Sequence, residues 1–185
     1  MEKSFADGNV YAKTDAYSYS TLIAALLRSR QYDAARKAQH TLDYMEKMYA
    51  AGDEEMKPDK VAYNSTLRMW AKSTERKAIN KADELVARME ELSKVGERGD
   101  LRPDTLTYTT LIDVWAKSRR DDAGVKAESI LEKIELLHGT HDEKKAVPAT
   151  HAFNAAINAW ASINKVNKKN AQRAHALLKR MEQLT

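Results

Sequence analysis

Apolar residues recur along this chain at helical spacing, in two alternating kinds of segment. In the first kind, an aromatic is followed by apolar positions four, seven and eight residues on. The sets are Tyr19/Ile23/Leu26/Leu27, Tyr63/Leu67/Trp70/Ala71, Tyr108/Ile112/Trp115/Ala116 and Phe153/Ile157/Trp160/Ala161. Each set covers one face of an α-helix. In the second kind, the stripe begins at an Ala and continues three, four, seven and ten residues on. Those sets are Ala82/Leu85/Val86/Met89/Leu92, Ala127/Ile130/Leu131/Ile134/Leu137 and Ala174/Leu177/Leu178/Met181/Leu184, with Ala38/Thr41/Leu42/Met45/Met48 as a copy interrupted by the polar Thr41. The small Ala allows the two helices of a pair to approach closely. No segment alternates at period two, so no sheet is expected.

The lead aromatics Tyr19, Tyr63, Tyr108 and Phe153 stand 44, 45 and 45 residues apart. A fixed period of this size marks a repeat of helix pairs, in which no pair buries its own stripe alone. The copies divide as 14–56, 57–101, 102–146 and 147–185. Met1-Glu2-Lys3 matches Met45-Glu46-Lys47 and Met89-Glu90-Glu91, so residues 1–13 read as the tail of a preceding copy and the chain as a slice of a longer array. On that reading the two terminal helices lack neighbours and offer a route to end-to-end association.

Pro58-Asp59 and Pro103-Asp104 mark helix starts, because Asp is a good N-cap and Pro ends the preceding segment. Ser73-Thr74-Glu75-Arg76-Lys77 is a link within a pair. The stretches 52–55, 95–100 and 139–145 read as exposed, charged loops between pairs.

Composition narrows the function classes. The chain has no Cys, which excludes disulfides, thiolate metal sites and a Cys nucleophile. Its longest apolar run, Leu22 to Leu27, is far too short to span a membrane, and its N-terminus resembles neither a signal nor a transit peptide. A net charge of +4 permits a polyanionic partner without demanding one. His138, His141 and Asp142 have a loose metal-like spacing, but Gly139 intervenes and no fourth ligand follows. With no phosphate loop, nucleophile elbow or recurring acidic pair, neither an enzyme nor a bound metal or cofactor is expected.

The string Pro-Asp, then Tyr63-Asn64 or Tyr108-Thr109, then Leu-Ile and Trp-Ala-Lys, followed by a helix with Ala and Met-Glu, resembles the pentatricopeptide repeat. The likeness covers nearly the whole chain. It departs from the family in period, which is usually about 35 residues. The resemblance implies a right-handed α-solenoid of antiparallel helix pairs, with first helices lining a concave groove and second helices forming the outer wall. It also implies binding of single-stranded RNA, one base per copy, in a mitochondrion or plastid, for RNA processing, stability or translation.

By the same resemblance, one base-reading residue follows each lead aromatic: Ser20, Asn64, Thr109 and Asn154. Its partner is the last residue before the next copy: Asp59, Asp104 and Ala149. Asn64 with Asp104 looks like a uracil reader and Ser20 with Asp59 like a purine reader, while Thr109 with Ala149 departs from the pattern. Tyr17, Val61, Leu106 and His151 fall at the family's base-stacking position. Arg28, Lys72 and Lys117 fall at its phosphate-facing one, where Ser162 lacks the charge.

Each assignment has a plainer competitor. The Trp residues belong to the apolar stripe and read as core, not as stacking platforms. Asp59 and Asp104 serve as N-caps whatever else they do. The first-helix windows 16–29, 60–73, 105–118 and 150–163 carry Arg28, Lys60, Arg68, Lys72 and Lys117 against Asp113 alone, a surplus equal to the whole formal charge. Counting the capping Asp15, Asp59 and Asp104 nearly cancels it. A protein-binding scaffold is the alternative function. The Ser, Asn, Thr, Asn column favours base edges over it, since a peptide groove would place apolar or strongly charged pockets there.

Overall fold

Local signals fix where the helices begin. The Asp15 carboxylate accepts from the Ser18 backbone N–H at 2.8 Å, Asp59 from Ala62 at 2.8 Å and Asp104 from Thr107 at 3.0 Å. At Asp104 the bond is reciprocal, because the Thr107 hydroxyl accepts from the Asp104 N–H at 3.3 Å. In the computed structural model, described over residues 14–29, 31–94, 98–139, 150–163 and 168–184, these caps open three of eight α-helices. The helices are α1 (Ala16–Arg28), α2 (Ala34–Ala50), α3 (Lys60–Lys72), α4 (Ala78–Lys94), α5 (Thr105–Ser118), α6 (Ala123–Gly139), α7 (Thr150–Ala161) and α8 (Lys168–Leu184). Among the described residues there is no strand, and the protein is all-α. The Met1-Glu2-Lys3 match, His141, Asp142, Ala149 and most of the 139–145 loop lie outside the described residues.

The chain forms two compact units, divided between Ser73 and Thr74. In the first, α1 packs against α2 and α3, and α2 against α3. In the second, α4 packs on α5, α5 on α6 and α7, α6 on α7, and α7 on α8. A first-kind helix thus touches both its own second helix and the next first helix wherever both lie within one unit.

The apolar stripes supply the core. Ala38, Ala82 and Ala127 are each fully buried, as close helix packing at a small residue requires. Leu42, Met45, Val86, Met89, Leu131 and Ile134 are buried with them. Each such side chain stabilises the fold by about 1.5–3 kcal/mol relative to exposure. The stripe weakens in α1, where Tyr19, Leu26 and Leu27 are only half-buried, and at Ala161 in α7, which is exposed.

Two features depart from the expected loops. The segments before Pro58 and Pro103 each contain a 3-10 turn, Glu54–Met56 and Gly99–Leu101. Met56 and Leu101 plug into the core with 3% and 0% of their surface exposed, and Arg98 beside the second turn is buried as well. Their register, 45 residues apart, shows that these loops are part of the repeat. Gly139, the first residue of the expected 139–145 loop, is also the last residue of α6.

α6 and α7 approach closely at Gly124. A Cβ added to Gly124 would lie 2.2–2.5 Å from the Trp160 ring. Only a hydrogen fits there.

Candidate nucleic-acid interface

Burial of the lead aromatic dictates what its helix shows to solvent. A residue two positions earlier lies roughly 200° around the helix axis, on the opposite side. That residue is Tyr17, Val61, Leu106 or His151, the second residue of α1, α3, α5 and α7. Tyr17 is 79% exposed, Val61 58% and Leu106 57%, and His151 is exposed with them. One exposed apolar side chain is ordinary in any protein. Recurrence at one register of three successive copies is a pattern the core does not require. In the second unit, His151 Nε2 lies 3.7 Å from Asp113 Oδ2 on α5, an ion pair when the imidazole is protonated.

The positions one residue past the lead aromatic divide. Asn154 is exposed and Asn64 half-buried. Ser20 is buried, and its hydroxyl donates to Asp59 Oδ1 at 3.4 Å. Packing of α1 on α3 therefore joins the two residues assigned as the first reading pair, while Asp59 also caps α3. Thr109 is buried at 4% exposure, and its hydroxyl donates to the Thr105 carbonyl at 2.6 Å. A Thr bonded back to its own helix has its donor committed. Asp104 is occupied in the α5 capping box, and its sequence partner Asn64 belongs to the other unit.

Arg28, Lys72 and Lys117 are all exposed, each in the last turn of its helix. A cation there interacts favourably with the negative end of the helix dipole, by about 0.3–1 kcal/mol. Position alone therefore accounts for their presence, and their exposure leaves them able to meet an anion.

Two recurring sets of polar contacts join the helices and escaped the sequence reading. In one, each buried Trp donates its indole N–H to the residue that follows the Ala of the preceding second helix. Trp70 bonds Gln39 Oε1 at 3.0 Å, Trp115 bonds Asp83 Oδ1 at 3.0 Å and Trp160 bonds Glu128 Oε1 at 2.7 Å. In the other, the lead Tyr donates its hydroxyl to a Glu seven residues further along that helix. Tyr63 pairs with Glu46, and Tyr108 bonds Glu90 Oε1 at 2.8 Å. The signal was legible in principle, as an acceptor at one register after every Ala. It is masked because an acidic residue on a helix gives no sign of the partner that a neighbouring helix brings to it.

The environment of these acids follows from their partners. Burial pushes Asp83 up, and the Trp115 bond with Lys126 and Arg120 nearby only partly opposes it. Glu90 is also pressed upward by burial, but Lys133, Tyr108 and Lys94 together hold it below its ordinary value. Lys133 Nζ reaches Glu90 Oε1 at 2.6 Å, so one carboxylate ties α4 to both α5 and α6. The Tyr108 hydroxyl is raised by burial first and by Glu90 second. Glu135 stands at the same register as Glu90 but faces a copy led by Phe153, which has no hydroxyl. Arg180 pairs with one oxygen of Glu135, the other is buried with no partner among the described residues, and burial raises the carboxyl.

Among the described residues, no cluster of His, Asp and Glu could hold a metal ion, and no helix is long and apolar enough to cross a membrane. Comparison with known protein families, with characterised proteins and with solved structures finds no match.

Proposed function

We propose that this chain is a right-handed α-solenoid of antiparallel helix pairs that binds single-stranded RNA, at about one nucleotide per copy. Copies 14–56, 57–101, 102–146 and 147–185 are its units, with α1, α3, α5 and α7 on the concave side. The role is binding and not catalysis. Likeness to the pentatricopeptide repeat extends the proposal to RNA processing, stability or translation in a mitochondrion or plastid.

The observation that carries this reading is the exposed register Tyr17, Val61, Leu106 and His151. Bases stack on aromatic and apolar side chains with little regard to sequence, at about 1–3 kcal/mol each. Beside that register stand the amides of Asn64 and Asn154, a group that offers both donor and acceptor to a base edge. In the first copy, Asp59 holds Ser20 by a long hydrogen bond that a base can replace or share. The commitment of Thr109 to its own helix makes the third copy a poor discriminator that contributes stacking through Leu106.

Filter binding of the full chain to a single-stranded oligonucleotide and to duplex RNA tests the proposal. Preference for the single strand is expected, with affinity falling as salt rises. Lys72→Glu with Lys117→Glu should weaken binding and flatten the salt dependence, by roughly 0.7 in slope for each phosphate that is no longer neutralised. An unchanged slope contradicts the groove assignment. Binding to neither RNA favours a protein-binding scaffold, which would use the same exposed apolar register to hold a peptide.

A further inference from the structure

Helix α8 carries the receiving face of a second-kind helix, and the structure leaves that face open. At the registers of Leu42, Val86 and Leu131, and of Met45, Met89 and Ile134, exposure is 2% or less in α2, α4 and α6. Their counterparts in α8 are Leu178, 38% exposed, and Met181, half-exposed. Ala174 is half-exposed where Ala38, Ala82 and Ala127 are sealed. By contrast Leu177, one residue around the helix from Leu178, is 4% exposed, so α8 is buried on one side only.

The polar registers of this face say what fits it. In α2, α4 and α6 the acceptor for a Trp indole follows the Ala, and a Glu stands seven residues later: Gln39 and Glu46, Asp83 and Glu90, Glu128 and Glu135. The helices received there are α3, α5 and α7, whose aromatic and Trp are likewise seven residues apart. Seven residues are two turns, about 10.5 Å on either helix, so donors and acceptors match in pairs. In α8 the same registers hold His175 and Glu182. A neutral imidazole has one ring nitrogen able to accept an indole N–H.

We infer that α8 is a docking site for an α-helix that presents Tyr and Trp seven residues apart, with Leu178 and Met181 as its apolar floor, His175 taking the indole N–H and Glu182 the phenol. This interface continues the α2–α3, α4–α5 and α6–α7 interfaces already in the chain. It stands whether or not the exposed register of the first helices takes RNA.

The test uses the full chain and a fluorescein-labelled synthetic peptide with the sequence of residues 102–118, which contains Tyr108 and Trp115 in this spacing. Anisotropy should show saturable binding. Leu178→Asp, a change at an exposed site, should abolish it. His175→Leu should weaken it about tenfold, as loss of a hydrogen-bond acceptor implies. His175→Gln should stay within about twofold, since Gln39 already plays this role for Trp70. A peptide with Phe at the Trp position should bind the unaltered chain about tenfold more weakly and be indifferent to His175→Leu. Circular dichroism checks that each variant keeps its helices, and if Leu178→Asp does not, the His175 pair decides. Absence of binding, binding unaffected by Leu178→Asp, or equal loss with Leu and Gln at 175 overturns the proposal. So does sedimentation showing that the chain alone dimerises through this face, lost with Leu178→Asp but not with His175→Leu, because a second copy is then its occupant.

Discussion

Replacing Phe153 with Tyr should make this protein more stable. Phe153 is fully buried, and an added hydroxyl in a core ordinarily destabilises. Here the repeat supplies the acceptor. Tyr63 and Tyr108 occupy the same register, are themselves buried, and donate to Glu46 and Glu90. The matching Glu135 has one buried oxygen with no partner among the described residues. A hydrogen bond to a charged acceptor contributes about 1.5–3 kcal/mol, and burying the new hydroxyl offsets part of that. The net expectation is a gain of about 1 kcal/mol, or roughly 2–4 °C in Tm for a chain of this size. Urea unfolding followed by Trp fluorescence measures it. A double-mutant cycle with Glu135→Ala isolates the bond, and the gain should vanish in that background.

The pH dependence of Phe153→Tyr sharpens the test. Burial holds the folded Glu135 carboxyl above its unfolded value, so its contribution to stability is fully present below the unfolded pKa and is lost as pH rises through the folded one. A Tyr partner moves Glu135 toward the behaviour of Glu90, whose carboxyl is held low and whose contribution is lost as pH falls. The gain should therefore be larger at pH 7 than at pH 3.5. A destabilised Phe153→Tyr, or a gain that survives Glu135→Ala, refutes the idea that one Tyr–Glu bond recurs at each junction.

Other substitutions probe the remaining contacts. Gly124→Ala should destabilise by about 1–3 kcal/mol through overpacking against the Trp160 ring, read by urea midpoint and a change in Trp fluorescence. Asp83→Ala should cost about 1–3 kcal/mol by leaving the Trp115 indole unpaired, whereas Asp83→Asn keeps an acceptor, sheds a carboxylate that burial disfavours, and should lie within about 0.5 kcal/mol of the parent at pH 7. Arg119, the C-cap of α5, has φ of 54°, so Arg119→Gly should raise stability by about 1 kcal/mol in the same assay.

The helices were legible because burial and helix geometry act locally. Stripes such as Tyr63/Leu67/Trp70/Ala71 mark a helix whatever it packs against, and Asp59 and Asp104 cap with groups only three residues away. The Trp residues read correctly as core for the same reason. Contacts between copies were not legible. Asp83 and Glu90 look like surface acids until the next helix is laid beside them and their partners, Trp115 and Tyr108, come within 3.0 and 2.8 Å. Met56 and Leu101 were missed because a single apolar residue in a charged loop has no helical period, and only their 45-residue spacing marks them. At the candidate interface, the outward direction of Val61 and Leu106 follows from the burial of the Tyr two residues later, and that of Tyr17 from the half-burial of Tyr19. The inward turn of the Thr109 hydroxyl does not, since a side-chain rotamer leaves no trace in sequence.

In the proposed complex, the exposed second residues of the first helices touch bases. Cross-linking of the full chain to a short single-stranded RNA bearing 4-thiouridine, followed by peptide mass mapping, locates those contacts. Adducts at or beside Tyr17, Val61, Leu106 and His151 are the expected result, with Tyr17→Ser removing those in the first copy. Adducts confined to α2, α4, α6 and α8 would contradict the account, as would a yield unchanged between this RNA and its duplex.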